Sequence, residues 1–272
     1  MRQQKERRAV MKAQKGMALV VILVLIGSML VGIAGCGQTI TGSSEIETRE
    51  LDFSDFTRIN VGSAFEVDIT ESDSYRVSIT LNKNLFDYLD ASQNGDTLTI
   101  RLEPYHNYIR TTQIATITLP DLHRLELSGA AECDVEGFSA PHSLELELSG
   151  ASSLEIADMS TEDIDLDISG ASKVNGSVTS EDVVFDVSGA SRVTLRGSGN
   201  DIVIDASGAS SIDLEEFMVN NADVSFSGAS HGTVNLDGRL DAELSGASHL
   251  GYIGEPTMGD IDISGASSLN KK

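Results

Sequence analysis

The chain has 272 residues, 42 of them acidic and 19 basic, for a formal charge of −23. An excess of that sign excludes nucleic acid as a partner, because phosphate recognition requires positive charge. Two cysteines are too few for a disulfide scaffold.

Residues 1–16 carry Arg2, Lys5, Arg7, Arg8, Lys12 and Lys15 against one acid, Glu6. Residues 17–35 are an almost unbroken apolar run that ends in Ile33-Ala-Gly-Cys36. A basic start, an apolar run and small residues before a cleavage point predict a signal peptide over residues 1–35. Cysteine directly after the small residues resembles a bacterial lipobox. That resemblance makes Cys36 the diacylglyceryl-modified first residue of the mature protein, palmitate included. The run is also about long enough to span a bilayer, so an uncleaved anchor is the alternative. Arg7-Arg8-Ala-Val-Met-Lys12 loosely resembles a twin-arginine export signal but lacks its aromatic residue. On each of these routes the rest of the chain is extracytoplasmic and membrane-anchored, at the cell surface or in the periplasm. Several acyl chains on one residue anchor stably, where a single chain binds only marginally.

Without residues 1–35, the 19 basic and 42 acidic residues become 13 and 41, and the formal charge becomes −28. Residues 36–50 (Gln38, Thr39, Thr41, Gly42, Ser43, Ser44) read as a lipid-anchored polar tether. From Leu51 the pattern turns strand-like. Ile59 and Val61 lead into Phe65-Glu-Val-Asp-Ile69, and Tyr75-Arg-Val-Ser-Ile-Thr-Leu81 follows a polar turn. A short helical turn is expected from Asn82-Lys-Asn84 through Leu89. Gln93-Asn-Gly-Asp96 is a strong turn signal before Leu98-Thr-Ile-Arg-Leu102. Pro104 to Arg110 reads as an irregular loop, and Ala115-Thr-Ile-Thr-Leu119 as one more strand. Residues 51–121 are thus expected to cap or start the solenoid of residues 122–272, covering edge strands that would otherwise be exposed.

Residues 122–272 are built from one repeated unit, a Ser-Gly-Ala-Ser core behind an alternating apolar run, with Ala131 closing the first copy. Its leading serines are Ser128, Ser149, Ser169, Ser188, Ser207, Ser227, Ser245 and Ser264, separated by 21, 20, 19, 19, 20, 18 and 19 residues. The residue before each serine and the one two places earlier are apolar in every copy. Alternation of this kind marks a half-buried strand, and it resumes after the core. Each coil therefore holds two short strands joined at a tight corner, with a third short segment closing it. A coil of this size cannot bury its own apolar face, but stacked coils share one core and one hydrogen-bond ladder. The predicted fold is all-β: a single-stranded, right-handed parallel β-helix, or β-solenoid, of roughly 19–20-residue coils. Gly129, Gly150, Gly170, Gly189, Gly208, Gly228, Gly246 and Gly265 are the bend positions. The corner serines are expected to satisfy backbone groups that the bend leaves unpaired. A row of nucleophilic serines is the rival reading, but no histidine sits at a fixed offset to act as base.

Two places before the leading serines stand Glu126, Glu147, Asp167, Asp186, Asp205, Ser225, Glu243 and Asp262. Seven carboxylates in register read as a solvated face that resists aggregation. Weak Ca2+ binding between them is the metal reading, although no calcium-loop spacing is present. No cofactor is otherwise expected. His231 and His249 share a column that also holds Lys173 and Arg192, so it reads as a polar face and not as a zinc or copper site. His106, His123 and His142 form no spacing pattern. Cys133 falls in an apolar column with Leu154 and Val174, which predicts a buried, inert thiol. The chain stops just after its eighth corner. An uncapped last coil is expected either to be blunted by Lys271 and Lys272 or to pair with a second copy.

Phe56-Thr-Arg-Ile-Asn-Val61, Phe65-Glu-Val-Asp-Ile69, Asn94-Gly-Asp-Thr-Leu-Thr-Ile100 and the Leu-x-Leu-Ser-Gly-Ala repeats together resemble the bacterial head GIN domain family, labelled "putative auto-transporter adhesin". The resemblance covers residues 52–268. It implies a single-stranded right-handed β-helix and brings no catalytic residues. The chain departs from the label in having no translocating barrel after the repeats. The expected function is a non-catalytic envelope lipoprotein that binds a surface polymer or envelope protein. A self-associating scaffold or sensor, dimeric through the last coil, is the alternative. A polysaccharide-active enzyme ranks below both, because the uniform coils offer no insertions to build a cleft.

Overall fold

A computed structural model describes residues 37–272. The predicted signal peptide and Cys36 lie outside the described residues. The described chain forms two units. The smaller comprises residues 37–41 and 104–110, in which Thr39–Thr41 pairs in parallel with Asn107–Ile109. A short strand thus lies within the stretch read as an irregular loop.

The larger unit, residues 42–103 and 111–272, is a parallel β-solenoid with two long sheets. One sheet collects the strands before each corner, and we call it the first face. Leu144–Leu148 there pairs with Ile164–Ile168, then Asp182–Val187, Asp201–Ala206, Asn221–Phe226, Arg239–Leu244 and Thr257–Ile263. The second face collects the strands after each corner, from Glu132–Glu136 through Ser153–Thr161 to Ser268–Lys271. Apolar side chains alternate inward from both sheets, and nearly all are buried. The closing third segment is a separate strand at Ser139–Ala140, which pairs in parallel with Ser160–Thr161, and elsewhere it continues the preceding strand. Ser153–Thr161 and Ser211–Val219 run on past register shifts, and beyond the bend Met159, Thr161, Phe217 and Val219 turn inward again.

The corners show why the motif repeats. Each motif glycine has φ between +71° and +79°, a region closed to most side chains. The alanine N–H after it donates to the glycine carbonyl one rung back, at 2.7–2.8 Å. From Ser152 to Ser248 the second serine is buried, and its Oγ donates to the carbonyl of the leading serine, as in Ser152 to Ser149 at 2.8 Å and Ser210 to Ser207 at 2.7 Å. A carbonyl turned inward at the bend thereby gains a partner. The first corner has Ala131 in place of this serine.

The solenoid begins earlier than the motif. Arg58–Val61 pairs in register with Arg124–Leu127, and Glu66–Glu71 with Glu132–Glu136. Residues 58–71 thus add a rung whose corner reads Gly62-Ser63-Ala64, with no Ser-Gly-Ala core to announce it. Between these two rungs in sequence, Thr97–Leu102 and Gln113–Leu119 pair in parallel with residues 58–71, and antiparallel strands flank them. Arg76–Asn82 lies between Ile46–Leu51 and Gln113–Leu119, and Leu89–Asn94 forms a hairpin with Thr97–Leu102 around Gly95. The expected helical turn is a 3-10 helix, Lys83–Tyr88. The tether reading of residues 36–50 is corrected in part: Ile46–Leu51 is an edge strand. Its side chains are mostly exposed, so backbone pairing holds it and no apolar alternation marks it.

At the other end, Met258, Ile261 and Ile263 are exposed. Cys133 is buried in register with Val67 and Leu154, and burial pushes its thiol pKa far up. The buried position read from the sequence is the one the fold creates.

Candidate functional site

The predicted acidic column exists on the first face. Glu126, Glu147, Asp167, Asp186, Asp205, Ser225, Glu243 and Asp262 are consecutive register partners. A second outward column beside it adds Glu145, Asp165, Asp223 and Asp241, interrupted by the exposed Val184 and Val203. Basic residues stand at its two ends. Arg124 reaches Glu145 at 2.9 Å and Glu147 at 2.7 Å, and Arg239 reaches Asp241 at 2.6 Å. Among the described residues no ion pair reaches Asp167, Asp186 or Asp205. Partial burial, then the charges of Asp186 and Asp165, raise the Asp167 pKa above the ordinary carboxylate value. The column gathers no cluster of three metal-ligating atoms among the described residues.

The second face is different. Its outward columns run Glu132, Ser153, Lys173, Arg192, Ser211, His231, His249 and Ser268, and Asp134, Glu155, Asn175, Thr194, Asp213, Thr233, Gly251 and Asn270. Three separate open depressions of about 360 to 490 Å3 lie over these columns, and one of about 660 Å3 lies over Asp223, Asp241 and Asp262 on the first face. Hydroxyls, amides, carboxylates and a few cations line the second-face depressions, which together we call the trough. His231 and His249 are register partners in it, and His249 Nδ1 lies 2.9 Å from Ser268 Oγ. No carboxylate completes a ligand set around them among the described residues.

A cluster that the sequence did not announce lies at the other side of the first face. Asp121 and His123 precede the strand Arg124–Leu127, and His142 precedes the next strand, Leu144–Leu148. Stacking the two rungs brings the imidazole centroids to 3.8 Å, nearly parallel at 16°. Asp121 Oδ1 lies 2.6 Å from His142 Nε2, and Asp121 Oδ2 lies 2.9 Å from His123 Nε2. Burial alone would raise the Asp121 pKa, but hydrogen bonds from His142 and His123 bring it below its usual value. Burial would lower that of His142, and bonds to the Ser143 carbonyl and Asp121 outweigh this and raise it. His123 and His142 are 19 residues apart, one coil length, yet their offsets from the following serine differ. Spacing alone therefore gave no pattern.

Residues 55–256 match the family described as "Putative auto-transporter adhesin, head GIN domain". The chain belongs to this family. Solved structures agree in fold. A "putative adhesin" of Parabacteroides merdae superposes with a TM-score of 0.81 at 15% identity, covering 86% of this chain and 99% of its own. A "putative adhesin" of Parabacteroides distasonis gives 0.79 at 16%, covering 86% and 100%. A "putative lipid binding protein" of the same species gives 0.75 at 19%, again covering 86% and 100%. No curated protein matches the chain. At these identities the likeness establishes the solenoid of the head GIN domain and leaves its ligand to be argued from its own surface.

Proposed function

We propose that this head GIN domain is a non-catalytic binding module of the cell envelope, displayed from a membrane by lipid at Cys36. Its ligand is an extended surface polysaccharide laid along the second face. The observation that carries this reading is the axial trough. Hydrogen-bonding side chains recur there at the rung spacing of about 4.8 Å, a repeat that suits a repeating polymer better than a compact small molecule. The acidic first face then keeps a β-rich surface soluble and discourages edge association.

The test is a binding screen with the full chain purified in detergent. Insoluble peptidoglycan and soluble extracellular polysaccharide are offered with Ca2+ and with EDTA. Saturable binding in both conditions is expected. Binding abolished by EDTA would move the site to the carboxylate columns. Binding to neither polymer would overturn the polysaccharide reading.

Self-association is a second reading, favoured by the exposed Met258, Ile261 and Ile263 on the last described rung. Sedimentation equilibrium should then show a dimer that Ile263→Lys dissociates. A monomer at all concentrations would exclude it.

A further inference from the structure

We propose that Asp121, His123 and His142 form a binding site for one divalent transition-metal ion of the zinc class. The argument begins at His142. Its Nδ1 lies 3.0 Å from the Ser143 carbonyl oxygen. A carbonyl only accepts, so Nδ1 carries a hydrogen. Its Nε2 faces Asp121 Oδ1 at 2.6 Å, and an ionised carboxylate also only accepts. A neutral ring in this tautomer would set a lone pair against a carboxylate oxygen. A proton shared in this contact relieves that clash, and so does a metal ion bound to Nε2.

The second ring supplies a third ligand atom at the same point. His123 Nε2 contacts the other oxygen of the same carboxylate, and the two rings are stacked. His123 needs no added proton for this contact, because its neutral Nε2–H tautomer can donate to the carboxylate, and that nitrogen can equally give up the hydrogen to an ion. One dication satisfies both Nε2 atoms and the carboxylate together. The Nδ1–H bond to a backbone carbonyl is also the arrangement that orients a metal-ligating imidazole. Two imidazoles and one carboxylate suit zinc or copper, where calcium and magnesium take oxygen ligands.

Geometry permits the exchange. The three ligand atoms lie within 4.8 Å of one another. Bonds of about 2.0–2.2 Å require the rings to splay by rotation about their terminal torsions. The side chains are 23% to 42% exposed, so water can complete a tetrahedron. The backbone beneath is fixed. His123 N–H donates to the Thr57 carbonyl at 2.8 Å, and the His142 carbonyl accepts from Thr161 Oγ. The ion would clamp consecutive rungs where the repeat begins. This site is separate from the trough and does not depend on what the trough binds.

The test uses the full chain in detergent, stripped with EDTA and titrated with ZnCl2 by calorimetry. One ion per chain is expected, with affinity at least tenfold weaker in Asp121→Asn and in His142→Gln. His231→Gln/His249→Gln should bind as the wild type does. A readout that needs no variant is carbethoxylation of the wild-type histidines, followed by mass spectrometry. Zinc should protect His123 and His142 and leave His231 reactive. No saturable uptake would overturn the proposal. Uptake that persists in His123→Gln/His142→Gln, or protection confined to His231 and His249, would also overturn it.

Discussion

The middle rungs and the first rungs of the solenoid use the same corner under different constraints. A Cβ built on Gly189 would lie 2.2 Å from the Gly170 carbonyl oxygen, whereas one built on Gly129 would first meet Ser63 N at 3.3 Å. Beneath Gly129, Ser63 and Ala64 both hold φ +62° with their side chains in place. The bend by itself therefore tolerates a side chain. Stacking one bend on another is what excludes it, because the ladder brings each glycine onto the carbonyl of the glycine below.

Breaking that comparison gives the largest expected effect. Gly189→Ala should cost about 3 kcal/mol or more, since left-handed strain of about 1–3 kcal/mol adds to a backbone clash. Gly129→Ala should cost only about 1 kcal/mol, from conformation alone. Denaturant unfolding of the two variants separates them. Equal losses would mean that the bend and not the stacking selects glycine.

The buried corner serine comes next. Ser210→Ala removes the bond to the Ser207 carbonyl and should lose about 1–2 kcal/mol in the same assay. The first corner, with Ala131, shows that one rung folds without it. A loss below a few tenths would mean that the carbonyl finds another partner.

The two parts of the acidic face should respond with opposite signs. Arg124→Gln should destabilise by about 0.5–1 kcal/mol, because it strips Glu145 and Glu147 of their cation. Asp167→Asn should stabilise by a few tenths of a kcal/mol at neutral pH, by removing a like charge from the ladder. The Asp167 pKa is raised in the fold, so its ionised form weakens stability above that pKa and the penalty fades as pH falls through it. Thermal melts of wild type and Asp167→Asn should therefore converge below the carboxylate range. A gap that stays constant with pH would contradict this origin.

The smallest effect is a null one. Cys133 should resist thiol reagents while the chain is folded and react on unfolding, as mass spectrometry would show.

The repeat made the core legible. The residues flanking Ser149 to Ser264 alternate so regularly that strand, corner and register can be read from them, and Cys133 could be placed by its column alone. The rung at residues 58–71 was hidden because its corner lacks the motif and its partner strand lies 66 residues on. Ile46–Leu51 was hidden because an edge strand with exposed side chains leaves no apolar signature. The acidic column was visible at one offset, but the neighbouring column emerged only once rungs were set side by side. The Asp121 cluster was the least legible. It joins residues at unequal offsets in two coils, and only the stacked backbone brings them to one point.

The measurement that bears most directly on the proposed binding role is a comparison of the two faces. Full chain and two variants would be sedimented with peptidoglycan sacculi and titrated with extracellular polysaccharide. One variant, Asn175→Ala/Thr194→Ala/Asn270→Ala, strips the trough, and the other, Asp186→Asn/Asp205→Asn, weakens the acidic ladder. A loss of tenfold or more in the trough variant, with the acidic variant binding as wild type, is the predicted result. Equal binding by wild type and trough variant, or a loss confined to the acidic variant, would contradict it.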